Sequence, residues 1–186
     1  MQPPDPLRES PIELALGLAN GAVEKGLVGS YAVAGAFAFI YYGEPFETKD
    51  LDLMMHLSLT PGGLVDVAPV FRHFVEGGAV AEGQFLRLSR ILVDIVPATD
   101  ALDEEALREA VETRVGRRAA RVLTAEHAVA IAVRTGRARD HMKIARLLAS
   151  APDALDHRRL EDILRRHGLL EAWERLQPAL RDEEEA

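Results

Sequence analysis

The stretch that most constrains the fold is residues 31–57, YAVAGAFAFIYYGEPFETKDLDLMMHL. It reads as a short strand ending at Gly35, an apolar helix, a turn at 43–45 and a second strand opening on Asp50. Alternate side chains of a strand share a face, so Asp50 and Asp52 point the same way, a few ångströms apart. Two neighbouring carboxylates repel each other, a poor arrangement for stability alone. A divalent cation removes the conflict. Mg²⁺ takes hard oxygen ligands and typically keeps waters and substrate phosphates in its remaining positions.

A chain of 186 residues is long enough for one core, or one core with a helical appendage. It has no cysteine, which excludes disulfides, thiolate metal sites and cysteine nucleophiles. No apolar run approaches the roughly 20 residues of a membrane span. The opening MQPPDPLRES has acids and prolines where a signal peptide has a basic head and an apolar core. A cytoplasmic protein with no membrane partner is expected. The net charge of −8 is unevenly spread. Residues 1–100 hold 6 Lys/Arg against 13 Asp/Glu, whereas residues 114–146 hold 9 against 2. An acidic half joined to a basic stretch suggests a metal site beside a surface for phosphates.

Taken in order, residues 1–10 form a Pro-rich lead. Ser10-Pro11-Ile12-Glu13 then fits a helix start, with Ser10 as N-cap and Glu13 as the capping-box acid. That helix runs to about Lys25. Strands follow over 27–34 and 51–57, on either side of a short helix over 36–42. A turn at 60–63 leads to a helix over 64–76. Two strands, 79–88 and 91–96, are joined near Ser89-Arg90. From Ala101 the period turns helical, with helices expected over 103–113 (capped by Thr99 or Asp100), 124–135, 138–149, 156–167 and 169–176. This divides the chain into 1–100, a helical part over 101–180 and an acidic tail over 181–186.

Asp94 interrupts the apolar run Ile-Leu-Val-Asp-Ile-Val. An ionised carboxylate in a buried strand is costly unless paired or metal-bound. An edge position, or pairing with Arg90, explains it alone; beside Asp50 and Asp52, a third metal ligand on a neighbouring strand explains it better. The Gly35-Ala36 turn opens a helix whose free N–H groups suit a phosphate, although most such turns are only tight turns. On the helix over 124–135, His127, Ala130 and Arg134 fall on one stripe. Arg137, Arg139 and Lys143 begin the next helix. Arg114, Arg117 and Arg118 read as a solvated face, His56 and His73 as surface or packing residues, and Trp173 as an anchor for the last helix.

A Gly-small pair opening a helix, Asp-x-Asp on the next strand and a lone Asp on a later one together resemble the polymerase-β-like nucleotidyltransferase superfamily. The segment GEPFETKDLD is similar to the Gly-x-Pro-x-x-Thr-x-Asp-x-Asp element of the AbiEii/MenT-like minimal nucleotidyltransferases of bacterial toxin–antitoxin systems. The stretches Leu123-Thr124-Ala125-Glu126-His127, Ile131-Ala132-Val133-Arg134 and Gly136-Arg137-Ala138-Arg139-Asp140 look like that group's second half. The likeness covers roughly residues 31–148. Four positions depart from it: Ala36 where Gly or Ser is usual, Phe46 for Arg, Arg134 for Lys and Lys143 for Asp.

The resemblance implies an α/β (α+β) fold, a small mixed sheet with flanking helices followed by a C-terminal helical bundle. It implies an enzyme moving a nucleoside monophosphate from an NTP to a hydroxyl on tRNA, other RNA or protein. Two Mg²⁺ ions, or Mn²⁺, would be held by Asp50, Asp52 and Asp94. Nucleotide would meet Gly35, Ala36, Arg134, Arg137 and Arg139, with Lys49 weaker because alternation turns it to the opposite face. An antitoxin protein would be the partner. Two alternatives stay open: a nucleotide-binding regulatory module weakened at Ala36 and Phe46, and an enzyme modifying a small molecule such as an aminoglycoside.

Overall fold

The computed structural model describes residues 9–184, with side chains as far as residue 180. The Pro-rich lead through residue 8 and the last two residues of the acidic tail lie outside the described residues. Helix α1 (Pro11–Glu24) starts as its sequence dictates. The Ser10 hydroxyl accepts from the Glu13 N–H (3.2 Å), and the Glu13 carboxylate accepts from the Ser10 N–H (2.9 Å). Strand β1 (Val28–Val33), helix α2 (Gly35–Tyr42) and strand β2 (Asp50–Leu57) follow. Next come α3 (Ala68–Glu76), β3 (Val80–Glu82), β4 (Phe85–Leu88) and β5 (Ile91–Pro97).

The second half opens with α4 (Ala101–Arg108) and then returns to the sheet with β6 (Val111–Val115) and β7 (Arg118–Val122). It closes with α5 (Ala125–Thr135), α6 (Ala138–Ser150), α7 (His157–Arg166) and α8 (Leu170–Glu184). The seven strands make one mixed sheet in the order β3-β4-β5-β2-β1-β7-β6. β2 pairs parallel to β5 and β1 parallel to β7, and the other pairs are antiparallel. Helices α1 and α3 pack together against it, while α2 and α4 pack on the central strands and against α5. Leu51, Leu53 and Met55 of β2 are fully buried, alternating with Asp50 and Asp52.

Four expectations are corrected. The helix expected over 103–113 ends at Arg108, because 111–122 form a hairpin whose turn needs Gly116 at φ +57°. Val111, Thr113 and Val115 alternate with Glu112 and Arg114, a period of two inside an Ala/Arg-rich stretch. The sheet therefore takes in residues on both sides of position 100. The helix expected over 64–76 starts only at Ala68. Pro69 has no N–H to give and fits only the first turn, while residues upstream form a small loop closed by the Leu59–Val65 bridge. The strand expected over 79–88 is a hairpin that reverses at Gly83 (φ +61°). The last helix also continues past its expected end at Leu176, to Glu184.

Candidate active site

Parallel pairing of β2 with β5 brings the aspartates together. Asp52 is the register partner of Asp94, and Asp50 that of Leu92, so the three carboxylates stand on one sheet face. The Thr48 hydroxyl donates to Asp50 Oδ1 (3.2 Å). Behind them, the chain leaves β1 through Ala34, whose N–H donates to the Asp52 carbonyl (2.9 Å), and enters α2 at Gly35. Gly35 has φ +53°, and a Cβ there would lie 1.7 Å from Asp52 Oδ2. Glycine is required on both counts.

Electrostatically the site is unbalanced. Burial first, then the charges of Asp50 and Asp94, push the Asp52 carboxyl up to about 6, against a smaller opposing pull from Lys143 and Arg139. Asp94 is raised by burial and by Asp50. The carboxylates open into a cavity of about 970 Å³. Gly35 and Ala36 of α2 line it, with Phe46 and Lys49 from the preceding loop and Arg137, Arg139, Lys143 and Arg146 around α6.

The fold matches that of a nucleotidyltransferase-like protein. The antigenic nucleotidyltransferase-like protein from Paracoccidioides brasiliensis superimposes with a TM-score of 0.52 at 14% identity, over 90% of each chain. Two structures of ANT(2'')-Ia are also similar. The solution structure of that antibiotic-resistance factor has a TM-score of 0.49 at 14% identity. Its complex with adenylyl-2"-tobramycin has a TM-score of 0.43 at 15% identity. In both cases 92% of this chain and 98% of the other are covered. No protein-family model and no curated protein matches the sequence.

The structure brings Gly35, Ala36, Lys49, Asp50, Asp52, Asp94, Arg134, Arg137 and Arg139 to one cavity. Lys49, directly before β2, lines the cavity although its carbonyl already accepts from the Leu92 N–H of β5 (3.2 Å). Arg134 is placed differently from a free phosphate clamp. Its guanidinium pairs with Asp100 and with Asp103 Oδ1 (2.8 Å), tying α5 to the start of α4. Asp140 pairs with Lys143 (2.8 Å) rather than with an arginine. Arg146 lies over the Phe46 ring, 5.4 Å from its centroid. Neither Arg146 nor the neighbouring Phe85 carries a signal in the sequence, since each meets the site only through tertiary packing. His127 turns away from the cavity and is fully buried. Arg114, Arg117 and Arg118 are exposed, as expected, but on the β6–β7 hairpin rather than a helix, and Trp173 packs on the core.

A second cluster lies elsewhere. Among the described residues, Glu105, Glu109 and His127 bring one ligand atom each within 4.8 Å of one another, a geometry that could hold a metal. No helix among the described residues is long and apolar enough to cross a membrane.

Proposed function

We propose that the chain is a metal-dependent nucleotidyltransferase, transferring an NMP from an NTP to a hydroxyl acceptor. One observation carries this reading. Asp52 and Asp94 stand in register on parallel strands, with Asp50 on the same face, and all three open into a cavity whose far wall is cationic. Fold similarity to a nucleotidyltransferase-like protein supports it as a matter of architecture.

The donor set fits magnesium. It is all oxygen, and the Asp52 carboxyl is raised to about 6 by burial and by its acidic neighbours, an unfavourable charge balance that a dication relieves. Asp50, Asp52 and Asp94 are the residues that would hold it. When bound, such metal ions neutralise charge on the transferring phosphoryl group and favour the ionised acceptor hydroxyl.

The chain's own residues supply the rest. Gly35 and Ala36 offer backbone N–H groups at the start of α2, where no helical partner exists, and these suit phosphate oxygens. Lys49, Arg137 and Arg139 add charge for a triphosphate, and Lys143, held by Asp140, adds more from the same wall. The Phe46 ring, backed by Arg146, is a flat surface on which a base can stack. Arg134 acts from one remove: by gripping Asp100 and Asp103 it fixes α5 behind the cavity.

An RNA end is the acceptor favoured by a wall carrying Arg137, Arg139, Lys143 and Arg146, because phosphates bind such surfaces through charge. A toxin role restrained by an antitoxin rests on the sequence resemblance alone. The test is incubation with each NTP labelled at the α-phosphate, plus Mg²⁺ or Mn²⁺, with total RNA, an aminoglycoside or no acceptor. Label passing into RNA, lost with chelator and in Asp52→Asn, is the expected result. Transfer to the aminoglycoside would move the acceptor to small molecules. NTP binding without turnover would make the chain a regulatory module.

A further inference from the structure

We infer that Glu105, Glu109 and His127 form a binding site for a divalent cation of the zinc class, separate from the aspartate cavity. None of the three lines that cavity. Glu105 in α4 and Glu109 at its C-cap are four residues apart, so they share a helix face. His127 approaches from the first turn of α5. Two carboxylate oxygens and one imidazole nitrogen, with a position left for water, are a donor set that borderline cations such as Zn²⁺ take.

A second observation concerns the histidine itself. Its side chain is 0% exposed, and among the described residues Nε2 has no hydrogen-bond partner while lying 3.5 Å from Glu105 Oε1. Nδ1 is 2.9 Å from the Thr124 hydroxyl. In the tautomer with Nδ1–H donating to the Thr124 hydroxyl, the Nε2 lone pair faces Glu105 Oε1, and a cation taken up between them would join the two; in the other tautomer Nε2–H faces that oxygen at 3.5 Å, too far for a good hydrogen bond. The same Nδ1 bond is how proteins fix the ring of a metal-bound histidine. His167 Nε2, 2.8 Å from Glu105 Oε2, supplies a matching outer partner for the carboxylate.

Entry and charge balance are also provided for. The Glu109 side chain is 37% exposed and leaves the cluster open to solvent on one side. Arg166 and Arg159 now pair with Glu105 and Glu109, and both guanidinium arms are about half exposed. Each can swing into water and release its carboxylate to an incoming cation. The ion would then join α4 to α5.

The test uses metal-free full-length protein carrying Asp52→Asn, which disables the cavity aspartates as a competing site. Titration with Co²⁺ or Zn²⁺ alone should give one equivalent bound, intense visible Co²⁺ bands of low coordination number, and a melting temperature raised by several degrees. Glu109→Gln, at an exposed position, should weaken binding about tenfold or more. Arg166→Gln should tighten it, because a competitor for Glu105 is removed. Absence of the cobalt bands, uptake unchanged in Glu109→Gln, or weaker uptake in Arg166→Gln would each overturn the site and leave an ion-pair network.

Discussion

Gly35 and Asp52 are in such close contact that no side chain fits between them. A Cβ at residue 35 would lie 1.7 Å from Asp52 Oδ2 and 2.6 Å from its Cγ, with φ at +53°. The α2 backbone therefore constrains the Asp52 side chain, and the turn at Gly35 and the carboxylate are one unit. Gly35→Ala should displace Asp52 rather than merely strain the turn. Strain alone costs on the order of 1–2 kcal/mol. The expected outcome is a modest fall in melting temperature but a loss of transfer activity of about a hundredfold or more, because misplacing a reacting group by an ångström is that costly. Thermal melts run beside single-turnover kinetics separate the two effects.

The raised Asp52 carboxyl gives a pH dependence with a definite sign. Its folded value of about 6 lies above the ordinary 3.8, so the folded state binds this proton more tightly than the unfolded chain. Its contribution to stability is fully present below pH 3.8 and is lost as pH rises through about 6. Bound Mg²⁺ should abolish that loss by favouring the ionised carboxylate. The rise in melting temperature on adding Mg²⁺ should therefore be larger at pH 8 than at pH 5. An equal rise at both would mean that Asp52 does not meet the cation.

Much of this site was legible in the sequence because its logic is local. Period-two spacing places Asp50 and Asp52 on one face, and an acid inside Ile-Leu-Val-Asp-Ile-Val marks Asp94, whichever strand lies beside it. The capping box at Ser10 and Glu13 is equally local, and both of its bonds form. The β6–β7 hairpin was not legible. An Ala/Arg-rich composition masks its alternation, and its support is remote: the Arg117 N–H donates to Glu13 Oε1 (2.8 Å), and Leu123 N–H donates to the Val33 carbonyl (3.0 Å). Arg134 illustrates the same limit. Its charge and stripe suggested phosphate, but its partners Asp100 and Asp103 lie more than thirty residues away.

Asp52→Asn should separate stability from function. The amide removes a buried charge repelled by Asp50 and Asp94, so the metal-free variant should melt higher than the parent above pH 6. It should also lose nearly all transfer activity, by about a thousandfold or more, through loss of metal-binding charge. Asp94→Asn should show the same pattern with a smaller gain in melting temperature, since Asp94 is less buried. Stabilisation by Mg²⁺ should vanish in the Asp52 variant. If Asp52→Asn instead lowers the melting temperature at pH 8, the carboxylate has a compensating partner and the unbalanced site is wrong.

The cationic wall divides into residues paired with buried acids and residues that face the open cavity, and Arg134 and Arg139 should behave differently. Asp103 is 2% exposed and relies on Arg134, together with the Thr99 N–H at 3.1 Å. Arg134→Ala leaves that buried carboxylate short of its charged partner, a loss of about 1–3 kcal/mol. Its activity should recover at lower temperature, where the variant stays folded. Arg139→Ala disturbs no hydrogen-bonded partner of that kind among the described residues, and Arg139 lies on the cavity wall, its charge felt at Asp52. It should leave the melting temperature within about a degree, since a surface change away from packed contacts is worth about 0.5 kcal/mol at most. The KM for NTP should rise roughly tenfold, with a shallower salt dependence, as one charge fewer meets the phosphates. Equal effects of the two variants on stability and KM would show that Arg134 also contacts substrate and that its pairing with Asp100 and Asp103 breaks on binding.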